Sequence, residues 1–143
     1  MKKKLIVSII SAVLVLVLCT LCIWGSKTKN ASPSTEINTI EVTELGEGSR
    51  EFLFYVVDGA GNTSGYQIDT EEKTVGAALL QLNLISGEEG AYGLYVKEVN
   101  GIRADYDTDG CYWAFYIDGE YATSGVDTTE IVDGATYTFK VEK

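Results

Sequence analysis

The stretch Cys111–Tyr121, CYWAFYIDGEY, constrains the fold of this chain more than any other. It holds one of the two tryptophans and three of the nine tyrosines. Aromatic residues in an alternating run suit a pleated, half-buried surface. Asp118-Gly119 is a hairpin signal, because both turn positions accept left-handed backbone. Alternation divides the strand into two faces. Trp113, Phe115 and Ile117 share one, and Tyr112, Ala114 and Tyr116 share the other. The first set reads as core. The second reads as the wall of a binding surface, with Tyr121 past the turn and Tyr92 and Tyr95 from a neighbouring segment. Tyrosine suits such a wall because it joins a large ring to a polar handle.

The preceding chain supplies partners for this strand. Glu51–Val57, EFLFYVV, is a short apolar run rich in aromatic and β-branched residues, which predicts a buried strand. Asp58–Asn62 is a turn, and Ser64–Asp69 is the returning strand. Thr74–Leu84 is the one helix predicted after the N-terminal segment, with Thr74 as its N-cap. Val75, Ala78, Leu79 and Leu82 form its buried stripe. Ser86-Gly87 ends it. Gly76 costs about 1 kcal/mol relative to alanine inside a helix, so a close helix-to-sheet approach is expected there. Gly93–Ile102 predicts a strand ending in an Asn-Gly turn, and residues 104–110 a loop. Val126–Val132 is a loop or a single helical turn, and Ala135–Val141 the last strand. The order is hairpin, helix, then two or three strands. It predicts an α+β fold, a β-grasp-like mixed sheet with one packed helix.

The N-terminus differs in kind. Lys2, Lys3 and Lys4 precede Leu5–Trp24, twenty residues without a charge. At about 1.5 Å per residue that run matches a bilayer core of about 30 Å. Residues 1–25 are therefore a membrane anchor or signal helix, and the lysines favour a cytoplasmic N-terminus. Cleavage after Gly25 or Ala31 would give a secreted form. Lipidation at Cys19 or Cys22 would give a lipoprotein, although Leu18 and Leu21 stand where a small residue normally precedes the cysteine. Each alternative puts the domain on the extracellular side of the cell membrane. Residues 26–48 read as a flexible linker. They contain the only proline, Pro33, and a weak alternation of Ile37, Ile40 and Val42. Residues 49–143 form the domain.

Charge and residue usage narrow the function. Five of the eleven basic residues lie before residue 30, so residues 31–143 carry six basic against 21 acidic side chains, a formal −15. Such a field repels phosphate backbones, and no nucleic-acid partner is expected. There is no histidine, the commonest general base and metal ligand. Cys111 stands alone in the domain without a partner base. No nucleophile–base pair or phosphate-cradling glycine loop is present, so neither an enzyme nor a cofactor is expected. Asp105, Asp107 and Asp109 match the first half of a calcium loop. The twelfth position of such a loop should be glutamate and here is Tyr116. The bland alternative is a solvated turn.

Residues from Tyr92 to Phe139 carry a likeness. The features are Tyr92-Gly93, the Asn100-Gly101 turn, Tyr112-Trp113, Ser124-Gly125-Val126 and Asp133-Gly134, with the helix start Thr74–Leu79. In these the chain resembles the transcobalamin-like C-terminal domain family, a bacterial domain of unknown function in β-grasp-like surface modules. The likeness covers about residues 50–142. Animal cobalamin carriers use a similar domain, with a larger helical one, to enclose a corrinoid. The resemblance therefore implies a small-ligand-binding module for a corrinoid-like molecule, contacted by Tyr92, Tyr112, Trp113 and Tyr121, with Tyr116 on the same tyrosine face. For Trp113 this conflicts with alternation, which sends it to the core. The alternative function is a cell-surface interaction or structural module with a protein partner and no small ligand.

Overall fold

A computed structural model describes residues 39–143 of the 143-residue chain. The predicted anchor or signal helix, and the linker up to residue 38, lie outside the described residues. Among the described residues no helix is long and apolar enough to cross a membrane.

The protein is a mixed α+β fold built on two sheets. The larger contains β1 (Val42–Gly46), β2 (Arg50–Val57), β3 (Thr63–Thr70), β7 (Tyr112–Ile117), β8 (Glu120–Tyr121) and β9 (Thr136–Glu142). The smaller contains β4 (Ile85–Gly90), β5 (Gly93–Val99) and β6 (Ile102–Arg103). Strand order in the larger sheet is β1-β3-β2-β9-β7-β8. β2 and β3 form the predicted hairpin, and β9 lies parallel to β2 and antiparallel to β7. A parallel pair cannot be joined by a tight turn. The crossover between β2 and β9 holds helix α1 (Val75–Gln81), the smaller sheet and the one-turn helix α2 (Tyr106–Asp109).

The larger sheet buries one face. Phe52, Phe54 and Val56 of β2 alternate inward, as do Tyr137 and Phe139 of β9 and Trp113 and Phe115 of β7. Their rings pack edge-on and tilted: Phe52 on Tyr137 at 5.3 Å, Phe115 on Phe139 at 5.0 Å. Val75, Ala78 and Leu79 of α1 complete the core, with Ile85, Val96 and Val99 of the smaller sheet. Burying each large apolar side chain contributes about 1.5–3 kcal/mol. The deep phenol of Tyr137 is satisfied on both sides. It donates to the Glu130 carbonyl at 3.2 Å and accepts the Val132 N–H at 3.1 Å.

Several local expectations change. The helix stops at Gln81, and Ile85–Gly90 forms a strand where a helix end was expected. Residues 104–110 contain the turn of helix α2 rather than loop alone. β1 lies inside the segment read as linker, and pairs with β3 in parallel. Six strands follow α1, not two or three. The Gly76 expectation is corrected in its partner. A β-carbon there would meet Asp127 Cα at 2.7 Å and the Val126 carbonyl carbon at 3.0 Å, so the close approach is helix to loop, not helix to sheet.

Candidate functional site

The outer face of β7 gathers tyrosines. Tyr112 and Tyr116 are two turns of the pleat apart and half-buried. The Asp118-Gly119 turn, with φ of 49° and 84°, folds β8 back so that Tyr121 pairs with Tyr116. Their rings meet edge-on at 5.4 Å. Asp105 caps α2, which sets the Tyr106 ring edge-on to Tyr112 at 6.4 Å. The Tyr106 N–H in turn donates to the Tyr95 hydroxyl at 3.5 Å. Two ring pairs, Tyr106–Tyr112 and Tyr116–Tyr121, thus stand at the outer face of β7, linked through the Tyr112 and Tyr121 phenols. Tyr106 and Tyr121 are well exposed, at 59% and 57%.

A carboxylate sits within this cluster. Glu142 pairs with Tyr112 across the β7–β9 ladder. It accepts the Tyr116 hydroxyl and lies 3.2 Å from Lys140 Nζ. The Tyr116 phenol is pushed up to about 12, first by its hydrogen bond to Glu142, then by burial and the glutamate charge. Glu142 is held below the usual carboxylate range by that same hydrogen bond, and then by Lys140. The Tyr112 phenol is raised as well, chiefly by its bond with the Tyr121 phenol. The face therefore offers neutral rings around one ionised carboxylate. Such a surface can stack against a flat, partly apolar ligand and accept hydrogen bonds from it. The adjoining concavity is shallow and lined by Ile117, Asp118, Glu120, Tyr121, Ala122 and Thr123.

The structure separates the other predicted contact residues from this face. Trp113 is a core residue, 6% exposed, and its indole N–H donates to the Ile102 carbonyl at 3.1 Å. Its assignment to the contact face is therefore corrected in favour of alternation. Tyr92 lies in the two-residue turn between β4 and β5 and is 98% exposed. No ring contact joins it to the tyrosine cluster. Tyr106 was missed, because the surrounding DYDTDG shows no alternation that would place its ring.

Two of the three aspartates of that segment, Asp105 and Asp109, are already engaged. Asp105 is buried and lies 3.2 Å from Lys97 Nζ and 3.0 Å from Arg103 Nη2. It also accepts the Asp107 N–H at 3.2 Å. Burial works to raise its carboxyl, but the Lys97 bond, the Asp107 amide and the Arg103 charge outweigh it and hold it low. Asp109 accepts the Asp105 N–H at 3.0 Å. These carboxylates cap a helical turn and pair with cations rather than converge on an open site. Among the described residues no group of three or more metal-type side chains is placed to hold an ion.

Residues 72–143 match the family model described as Domain of unknown function (DUF4430). No curated protein matches the chain. Among the solved structures that share its fold are two of note. One, from Ruminococcus gnavus ATCC 29149, is described as a "putative metal binding protein". It superposes with a TM-score of 0.63 at 27% identity, over 66% of this chain and 98% of that one. The other is haptocorrin in complex with Cbi, with a TM-score of 0.53 at 16% identity. That match covers 69% of this chain and 26% of haptocorrin, so the chain corresponds to about a quarter of the larger protein.

Proposed function

We propose that this chain, which belongs to the DUF4430 family, is a membrane-associated extracytoplasmic module that binds a small ligand of the corrinoid class. The observation that carries this reading is the cluster of Tyr106, Tyr112, Tyr116 and Tyr121 around Glu142. A row of tyrosines on the solvent face of a sheet contributes nothing to the core, and ring surface there suits a broad, flat ligand. The haptocorrin likeness supports the corrinoid class, since that structure is a complex with Cbi. It also limits the reading: the matched part is a fraction of that protein, so this chain alone would offer one open face rather than an enclosure. The β-grasp-like order of hairpin, helix and parallel return strand agrees with such a module. The lysines and apolar run of residues 2–24 support the membrane anchor. The same reading makes the chain a binder rather than an enzyme, and its acidity disfavours nucleic acid.

The likeness to a structure described as a metal binder is not matched, among the described residues, by three metal-type side chains placed to hold an ion. A second reading is a surface module that takes a protein partner by strand addition. It is favoured by β1, which among the described residues has no strand on its outer side and exposes Val42.

Titration of the full chain in mild detergent with cobinamide, read by calorimetry and tyrosine fluorescence, tests the first reading. Saturable heat is expected. Tyr112→Ala and Tyr121→Ala should each weaken it at least tenfold, and Trp113→Phe should not. No heat at high micromolar ligand removes the corrinoid class.

A further inference from the structure

We propose that Ala114 is the specificity-determining floor of the tyrosine face, and that Tyr121 covers it until a ligand turns the ring aside; this deepens the binding function above and rests on it. Ala114 is 1% exposed. It is nonetheless no part of the apolar core, which takes in its neighbours Trp113 and Phe115. Alternation gives the reason: Ala114 points outward, between Tyr112 and Tyr116. Alanine adds little to a strand by propensity. A methyl group on the outer face of a sheet is buried only where other side chains fold over it.

The tyrosines supply that cover. Lys140 faces Ala114 across the β7–β9 ladder, and Glu142 faces Tyr112. The Tyr116 hydroxyl reaches Glu142, so its side chain runs back along the strand over the Ala114–Lys140 pair. Tyr121 does the same from β8. Its ring stands edge-on to Tyr116 at 5.4 Å, and its phenol bonds that of Tyr112. Residues 112 and 116 are about 13 Å apart along an extended strand, and Tyr121 bridges that gap over Ala114. The two covers are held unequally. Tyr116 is bonded to an ionised carboxylate, which Lys140 Nζ also contacts at 3.2 Å. Tyr121 is held by a neutral phenol, a weaker bond, and is well exposed. Its backbone is fixed. The Asp118 N–H donates to the Thr136 carbonyl at 2.7 Å, the Asp118 carboxylate accepts the Thr136 N–H at 2.8 Å, and the Ala122 N–H donates to the Phe115 carbonyl at 2.9 Å. With β8 pinned at both ends, the Tyr121 side chain opens the site by changing rotamer. Turning it leaves a slot with Ala114 as floor and the Tyr112 and Tyr116 rings as walls. A planar ligand can lay its edge there, and a residue larger than alanine would fill the space.

The test uses the full chain in mild detergent, with alanine methyl groups isotopically labelled and read by NMR. Without ligand, the Ala114 methyl should show nuclear Overhauser contacts to the Tyr121 ring. Tyr121→Ala should raise its relaxation by a soluble paramagnetic agent at least fivefold and leave the core methyl of Ala78 unchanged. Either no contact or no rise overturns the cover, whatever the ligand does. Saturating cobinamide should replace the Tyr121 contacts with contacts to the ligand. Ala114→Val should weaken cobinamide at least tenfold, and Ala114→Leu further. If these variants lose amide protection in β7 and β9, the methyl contacts in the unaltered chain decide. Binding that leaves the Tyr121 contacts in place, or equal affinity in folded Ala114→Val, overturns the floor. Tyr121→Phe keeps the ring and removes its bond to Tyr112, so cobinamide association should speed at least threefold. An unchanged rate overturns Tyr121 as the moving part. Absence of cobinamide binding in the unaltered chain overturns the floor together with the corrinoid reading, and the ligand-free contacts of Ala114 still decide the cover.

Discussion

Tyr116 is where the chemistry of the outer face can be measured one proton at a time. Its phenol is pushed up to about 12 in the folded chain against 10.0 for the free group, because its O–H donates a hydrogen bond to the Glu142 carboxylate. Folding thus favours the neutral phenol. That contribution is whole below pH 10 and is lost as pH rises towards 12. Tyr112 and Lys97 are also raised, so stability falls with pH here even without Tyr116. The prediction is a difference: urea-melt stability should fall more steeply across pH 10–12 in the unaltered chain than in Tyr116→Phe. Absorbance titration should show one fewer late-ionising tyrosine in the variant. Equal slopes would mean the Tyr116–Glu142 bond is absent in solution. Much of this face could be read from alternation alone, since Tyr112 and Tyr116 must share a side when Trp113 and Phe115 are buried. Glu142 could not, because its place depends on the β7–β9 register, which brings it to Tyr116 from 26 residues away in sequence.

Helix α1 is short, and its packing overrides its propensity. Alanine is the better helix former, and Gly76→Ala in a free helix would stabilise by about 1 kcal/mol. Here the new β-carbon would come within 2.7 Å of Asp127 Cα. Backbone is the obstacle, and overpacking of this kind costs about 1–3 kcal/mol. Gly76→Ala should therefore lower the melting temperature, and a rise would show that the loop moves aside freely. The helix itself was readable from the i, i+3, i+4 spacing of Val75, Ala78 and Leu79 and from the Thr74 cap, whose hydroxyl accepts the Ala77 N–H at 3.3 Å. β4 was not. In ISGEEG only Ile85 is buried, so no apolar alternation marks it. It exists by pairing with β5, across a bulge at Ser86–Gly87, and a β-carbon on Gly87 would fall 2.0 Å from the Tyr95 carbonyl oxygen. Pairing of that kind leaves glycine in the sequence, where it is easily taken for a helix end.

The domain as a whole begins earlier than its hydrophobic pattern suggests. VTELG buries nothing fully, and only Leu45 reaches the core, so β1 carries too little periodicity to separate it from the linker. Its role is at the sheet edge. β3 is eight residues long and contains the core residue Ile68; without β1 its ladder groups would face solvent as an open edge. Open edges pair with other chains. Gly46 shows how closely the cover fits, since a β-carbon there would lie 2.3 Å from the Asp69 carbonyl oxygen. Two chains compared side by side, one starting at residue 39 and one at residue 47, test this. The shorter should be less stable by about 1–3 kcal/mol, from the lost Leu45 burial and the lost ladder. It should also self-associate in a concentration-dependent way by sedimentation. The strong negative charge of residues 31–143 opposes that association, so adding salt should increase it in the shorter chain and leave the longer one monomeric. Identical melting and sedimentation would show that β1 neither stabilises the sheet nor shields the β3 ladder.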